Sequence, residues 1–324
     1  MTACRTLVCL ALFVALSFTL ASRAAGQPGS EGAPPEVVAL TTKDGVQLRA
    51  TYFPGAARRD SPQAKQTTPV VLLHDFKSTR ASLMPLAQRL QSPGDSADAD
   101  HPNFAAIIVD LRAHGESTKA LSPTGAVADL DAAKLSKEGL LAMASMDMEA
   151  VRNFLVDKND AGELNLNKLC LVGSGMGASV AVNWALQDWT APPLAVGKQG
   201  QDVKGIVLVS PRWSYNGLSM QDPMKFAPLK QNVAWLLICG AQEQKSSSDL
   251  ARIQKQLERF HPETEKSGAK RRRGLLVTKL PSSLQGDSLV GKSGDLIDTE
   301  VITFLTENVA AIQQPWSSRR SKLP

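Results

Sequence analysis

The residues with the most chemical potential lie in one glycine-rich run, Gly173-Ser174-Gly175-Met176-Gly177, and in four scattered histidines, His74, His101, His114 and His261. A serine on a tight turn, with a histidine and an acid folded beside it, would perform nucleophilic acyl chemistry. Asp75 and Glu243 supply carboxylates, and Cys170 and Cys239 supply thiols. The glycine run also invites a phosphate-loop reading, but it lacks the Gly-Lys-Ser/Thr ending. It does not follow the first strand–helix unit either, where a dinucleotide fingerprint belongs. The histidines lack the close spacing of a zinc site. Both thiols fall inside apolar runs, so they are expected as buried side chains rather than nucleophiles or a disulfide. No cofactor and no metal is implied.

Several of these groups stand at the ends of short apolar runs: Val70–Leu73, Ala105–Val109, Leu169–Val172, Ile206–Val209, Val233–Cys239 and Leu275–Val277. Such near-continuous, β-branched-rich runs are what strands covered on both faces require. Between them come stripes with a helical period. Leu83, Leu86, Ala87 and Leu90 form one, and Val151, Phe154 and Leu155 belong to another. Leu250, Ile253, Leu257 and Phe260 make a third, and Ile297, Val301, Phe304 and Leu305 close the series. Strand–helix alternation predicts an α/β domain built on a mostly parallel sheet with helices on both faces. Upstream, Val37–Thr41 and Val46–Phe53 flank Lys43-Asp44-Gly45, a hairpin signal. An antiparallel hairpin leading into a parallel sheet gives a mixed eight-stranded domain, here over residues 36–312.

Three motifs in chain order now carry a resemblance. Leu72-Leu73-His74-Asp75 is similar to the end of strand 3 in the α/β-hydrolases, where that family usually has His-Gly beside its oxyanion hole. Val109-Asp110-Leu111-Arg112-Ala113-His114-Gly115-Glu116-Ser117 resembles the family's Asp-x-Arg-Gly-His-Gly-x-Ser loop after strand 4. Leu171-Val172-Gly173-Ser174-Gly175-Met176-Gly177-Ala178 resembles the nucleophile elbow after strand 5. The layout is closest to compact lipases and serine-aminopeptidase-like members, and it covers about residues 37–310.

The family's elbow reads G-x-S-x-G. Aligned on Gly173 and Gly177, the nucleophile position holds Gly175, which has no side chain. Ser174 is one residue away, but neighbouring side chains at a strand end point to opposite faces, so a hydrogen-bonding role is expected. The family places its histidine after the last strand; here the counterpart of that His-Gly is Gln285-Gly286, and an amide is no general base near neutral pH. Gly240-Ala241-Gln242-Glu243 resembles the family's Gly-x-x-Asp, which makes Glu243 either the orienting acid or a surface carboxylate. By the same resemblance the oxyanion-hole-like positions are Asp75, Phe76 and Met176, and a carboxylate at 75 would repel developing negative charge. His74 and His114 are expected in structural roles. Ser210 to Gln231 is too short for a large lid, so a minimal cap is expected, with Trp213 and Tyr215 lining the remnant pocket or packing beneath it.

The termini bound the setting. Residues 1–26 combine Arg5, an apolar stretch from Thr6 to Ala21, and small residues around Ser22–Gly26. That is the pattern of a secretory signal, the alternative being an uncleaved membrane anchor. Residues 27–35 read as a flexible linker and 313–324 as a solvated, disordered tail. The formal charge of +5, which includes Arg5 and Arg23, is too small for a nucleic-acid-binding face. Lys266, Lys270 and Arg271–Arg273 form a basic cluster, read as a solvated loop or as contact with an anionic partner. The expectation is an exported hydrolase-fold protein without an intact triad, binding a small ligand or an envelope partner. The alternative is an active esterase, lipase or peptidase with non-standard catalytic residues.

Overall fold

The computed structural model describes residues 33–91, 102–194, 197–266, 269–272 and 274–320, with backbone alone over 264–273. The expected leader, most of the linker, His101 and the side chains of the basic cluster lie outside the described residues.

Eight main strands form the sheet: β1 (Glu36–Thr41), β2 (Val46–Phe53), β3 (Thr68–Leu73), β4 (Phe104–Asp110), β5 (Leu169–Ser174), β6 (Val203–Val209), β7 (Ala234–Gly240) and β8 (Leu275–Leu280). Their order is β1-β2-β4-β3-β5-β6-β7-β8. The hairpin β1–β2 is antiparallel, as is β2–β4, and every later pairing is parallel. Gly45 is required at the hairpin turn: its φ is +85°, and a Cβ there would stand 2.0 Å from the Leu121 carbonyl oxygen. Two short hairpins missed in the sequence extend the sheet, Lys119–Leu121 with Val127–Asp129 and Glu263–Lys266 with Ala269–Arg272. The first has strands of only three residues, too short to show a period, and the second is too charged for any apolar alternation.

Burial follows the strand period. Val71 and Leu73 face one core and Val70 and Leu72 the other, so β3 must be apolar throughout. The first core is closed by helices α2 (Met148–Asp160), α3 (Met176–Thr190) and α4 (Gln244–Leu257). The second is closed by α1 (Met84–Gln91), α5 (Gly286–Lys292) and α6 (Gly294–Leu305). The stripes meet their cores, with Phe260 in a short turn beyond α4. Residues 210–231 form a small cap of one two-residue hairpin and two short helices, pinned by buried Leu218, Met220, Met224 and Leu229. Cys170 and Cys239 are buried free thiols on β5 and β7, with β6 between them. No helix among the described residues is long and apolar enough to cross a membrane.

The tail differs from expectation. Residues 314–320 dock across the sheet end opposite the site. Trp316 donates to the Asn159 carbonyl (3.2 Å), and Asn167 donates to the Pro315 carbonyl (2.7 Å). The Arg319 guanidinium is buried against Asp202 and the Asn167 side-chain oxygen, both at 2.7 Å. The polarity that reads as solvation in sequence is spent on a buried acceptor cluster.

Candidate functional site

The site lies at the C-terminal ends of β3, β5, β6 and β7, where open α/β sheets form their crevice. At the β5–α3 turn Gly175 adopts φ 52° and ψ −110°, a conformation that strains any residue with a Cβ. The flanking glycines are demanded by close approach. A Cβ on Gly173 would meet the Gly177 carbonyl oxygen at 2.5 Å, and one on Gly177 would meet the Leu73 carbonyl oxygen at 2.4 Å.

What fills the turn comes from β3. A Cβ built on Gly175 would stand 2.1 Å from Asp75 Cγ and Oδ1 and 2.2 Å from Oδ2. The Asp75 carboxylate therefore occupies the volume into which a side chain at 175 would project. Its Oδ1 accepts from the backbone N–H of Phe76 (2.7 Å) and of Met176 (2.8 Å). Met176 begins α3, so the carboxylate sits on a helix N-terminus, which favours negative charge. The sequence places Asp75 beside the oxyanion-hole-like N–H groups; the structure places its carboxylate on them.

Neighbouring groups hold that arrangement. The Asp75 N–H is shared between both carboxylate oxygens of Asp287, each at 3.2 Å, and Ser82 donates to Asp287 Oδ2 at 2.6 Å. Burial pushes the Asp75 pKa up, and the N–H bonds of Met176 and Phe76 pull against it. The Asp287 charge adds to the rise, while Arg212 opposes it. On the other wall Ser210 has φ +50°, with its N–H on the Ile238 carbonyl (2.7 Å) and its hydroxyl accepting from Gly286 N–H (2.9 Å).

These residues enclose a cavity of about 250 Å³ lined by Asp75, Phe76, Gly175, Met176, Ser210, Arg212, Tyr215, Gln285 and Gly286. The sequence-chosen Asp75, Phe76, Gly175, Met176, Tyr215 and Gln285 thus come together. Gln285 Nε2 donates to the Gly240 carbonyl (3.1 Å), while its Oε1 is buried with no partner. Burial, then the Asp75 charge, raise the Tyr215 pKa to about 12, so its phenol stays protonated.

Two expectations need correcting, Trp213 as a pocket residue and Ser174 as a hydrogen-bonding one, while Glu243 takes the surface alternative. Trp213 does not line the cavity; the Arg252 guanidinium of α4 covers its ring at 3.7 Å. Glu243 does not line it either. Its carboxylate caps α4, accepting from the N–H of Lys245 (3.1 Å) and Ser246 (2.7 Å), and the Ser246 bonds hold its pKa down. Ser174 is buried away from the cavity, and its hydroxyl finds no hydrogen-bond partner.

The histidines have structural partners. His74 Nδ1 donates to the Asp75 carbonyl (2.7 Å) and Nε2 accepts from Leu111 N–H (3.1 Å), so both ring nitrogens are committed. His114 Nδ1 bonds the Arg112 carbonyl (2.9 Å), and its ring lies 5.1 Å from that of His74. Burial lowers both pKa values. The His114 loop is fixed by Arg112, whose guanidinium bridges buried Asp147 and Asp44. Among the described residues no group of three or more His, Cys, Asp or Glu could hold a metal ion.

Ser210, Arg212 and Asp287 were not singled out in the sequence. The usable signal was position: Ser210 and Arg212 directly follow β6, at the edge where the crevice must open.

No protein-family model and no curated protein matches the chain. Solved structures share its fold. A peroxisomal alpha-beta-hydrolase of Saccharomyces cerevisiae aligns with a TM-score of 0.56 and 14% identity over 90% of this chain and 92% of that one. An esterase of Pyrobaculum calidifontis gives 0.54 and 12% over 87% and 89%. The esterase Pf2001 of Pyrococcus furiosus gives 0.51 and 14% over 85% and 93%. The chain has the α/β-hydrolase fold.

Proposed function

We propose that this protein is an exported α/β-hydrolase-fold protein that binds a small ligand instead of hydrolysing one. One observation carries the reading: the Asp75 carboxylate accepts from both Phe76 and Met176 N–H and fills the volume beside Gly175. Serine-type acyl transfer needs a hydroxyl at that turn and N–H donors free for the developing oxyanion. Gly175 offers no hydroxyl, and the donors already hold an anion. No histidine follows β8, so a serine there would also lack its base. Export rests on the leader pattern of residues 1–26.

A second reading is favoured by one atom. Asp75 Oδ2 has no hydrogen bond among the described residues, so it could take a proton from a bound substrate. The test is purified protein with a fluorophosphonate probe and with p-nitrophenyl butyrate. Neither labelling nor turnover above buffer is expected. Turnover abolished by Asp75→Asn would establish the second reading, and labelling abolished by Ser174→Ala would establish a displaced serine nucleophile.

A further inference from the structure

We infer that the cavity is a site for a small zwitterion, an ammonium and a carboxylate joined by a short apolar stem, as in free amino acids. This rests on the binding reading above and names its ligand class.

The walls present two opposite charges with unfilled capacity. Arg212 is half-buried and makes no ion pair or hydrogen bond with any described residue. Its guanidinium is a fork for a carboxylate. Asp75 is anchored through Oδ1, and Oδ2 stands open beside Gly286. A second acceptor is Gln285 Oε1, whose orientation is fixed because Nε2 already donates to Gly240. A buried acceptor without a donor is costly, and a ligand N–H would satisfy it. The site therefore asks for N–H donors at the Asp75–Gln285 side and an anion at Arg212.

Charge balance excludes simpler occupants. A lone anion at Arg212 would be brought up to Asp75, with Asp287 behind it and Glu243 near Arg212. A lone cation would meet Arg212. A zwitterion with matched polarity is repelled by neither. Phe76 and Met176 supply apolar wall for the stem, and Tyr215, protonated, can donate to the carboxylate. A volume of about 250 Å³ lies below the roughly 300–1,000 Å³ of drug-sized pockets, so the stem is short.

The experiment is calorimetric titration of the full mature chain at pH 7.5. The titrants are L-alanine, L-leucine and unbranched ω-amino acids of increasing length, each beside its N-acetyl and carboxamide analogue. Saturable binding of at least one zwitterion is expected, with a dissociation constant of about 1 mM or tighter. Blocking either charge should weaken it by about tenfold or more, the size of one lost charge-assisted bond. Arg212→Gln should abolish the preference for the free acid over the amide, and Asp75→Asn the preference for the free amine. Equal binding of the blocked analogues, binding of butyrate alone, or no binding by any zwitterion would overturn the assignment while leaving the non-catalytic reading intact. Turnover of an ester with zwitterion binding retained would overturn the non-catalytic reading and leave the ligand class standing.

Discussion

Placing a serine at the β5–α3 turn while leaving Asp75 untouched should destabilise the protein heavily and yield no reactive serine. The new Cβ would stand 2.1 Å from Asp75 Cγ, against an ordinary carbon–carbon separation of about 3.5–4.0 Å. The carboxylate must therefore move by more than an ångström, which breaks its bonds to Phe76 N–H and Met176 N–H. Hydrogen bonds to a charged group are worth about 1.5–3 kcal/mol each. The positive φ adds strain of about 1–3 kcal/mol for a residue with a Cβ. Gly175→Ser should thus cost at least about 4 kcal/mol. Asp75→Gly loses the same two bonds, so the double variant loses them only once. The cycle should show favourable coupling of about 3 kcal/mol, read from urea midpoints with unchanged m-values. Additivity of the two substitutions within about 0.5 kcal/mol would refute the reasoning. Chemistry follows the same logic. Gly175→Ser with Gln285→His still has a filled oxyanion-hole-like site and should not label with a fluorophosphonate. Adding Asp75→Gly frees the donors, and labelling is expected only then. Equal labelling with and without that third change would refute it again.

Burial, together with the Asp202 charge, pushes the Asp188 pKa up to about 6. The folded chain then holds this proton more tightly than an unfolded one, whose aspartates titrate near 3.9, so its contribution to stability falls as pH rises from about 4 to 6. Asp188→Asn should flatten that window and raise the melting temperature at pH 7.5; an unaltered pH–melting profile would remove the explanation. Arg319→Ala should cost about 3 kcal/mol, because Asp202 stays buried and, among the described residues, keeps ion pairs with Arg152 and Lys198 alone. It should also open the C-terminus to limited proteolysis, and a protected tail would show that Arg319 is not its anchor.

The parallel sheet was legible because its strands are buried on both faces, which forces continuous apolar runs such as Val70–Leu73. Helices α1, α2, α4 and α6 were legible as stripes because each covers only one core. The site was legible where backbone geometry dictates residue type: Gly173 and Gly177 mark a close approach that no side chain allows. What failed was side-chain destination. Glu243 stands where an orienting acid is expected, yet a helix start offers it two N–H groups one turn away. Trp213 and Tyr215 are separated by one residue, and only Tyr215 reaches the cavity. Arg319 looks solvated because the buried carboxylate it meets, Asp202, lies more than a hundred residues away in the chain.

Asp75 and Gly175 are best understood as one unit distributed over two strands. The carboxylate and a Cβ compete for a single volume, so a serine at 175 and an aspartate at 75 exclude each other at this backbone. A glycine at both positions has no such clash, but it leaves the Phe76 N–H and the Met176 N–H at the head of α3 without an anion. The aspartate satisfies them from within the chain and does so while burying its own charge, which accounts for opposing influences on its pKa. Having used Oδ1 for that purpose, Asp75 leaves only Oδ2 to meet a ligand. On the binding reading proposed above, that open oxygen, the Arg212 guanidinium and the Gln285 amide oxygen together hold a small charged molecule in a fixed orientation.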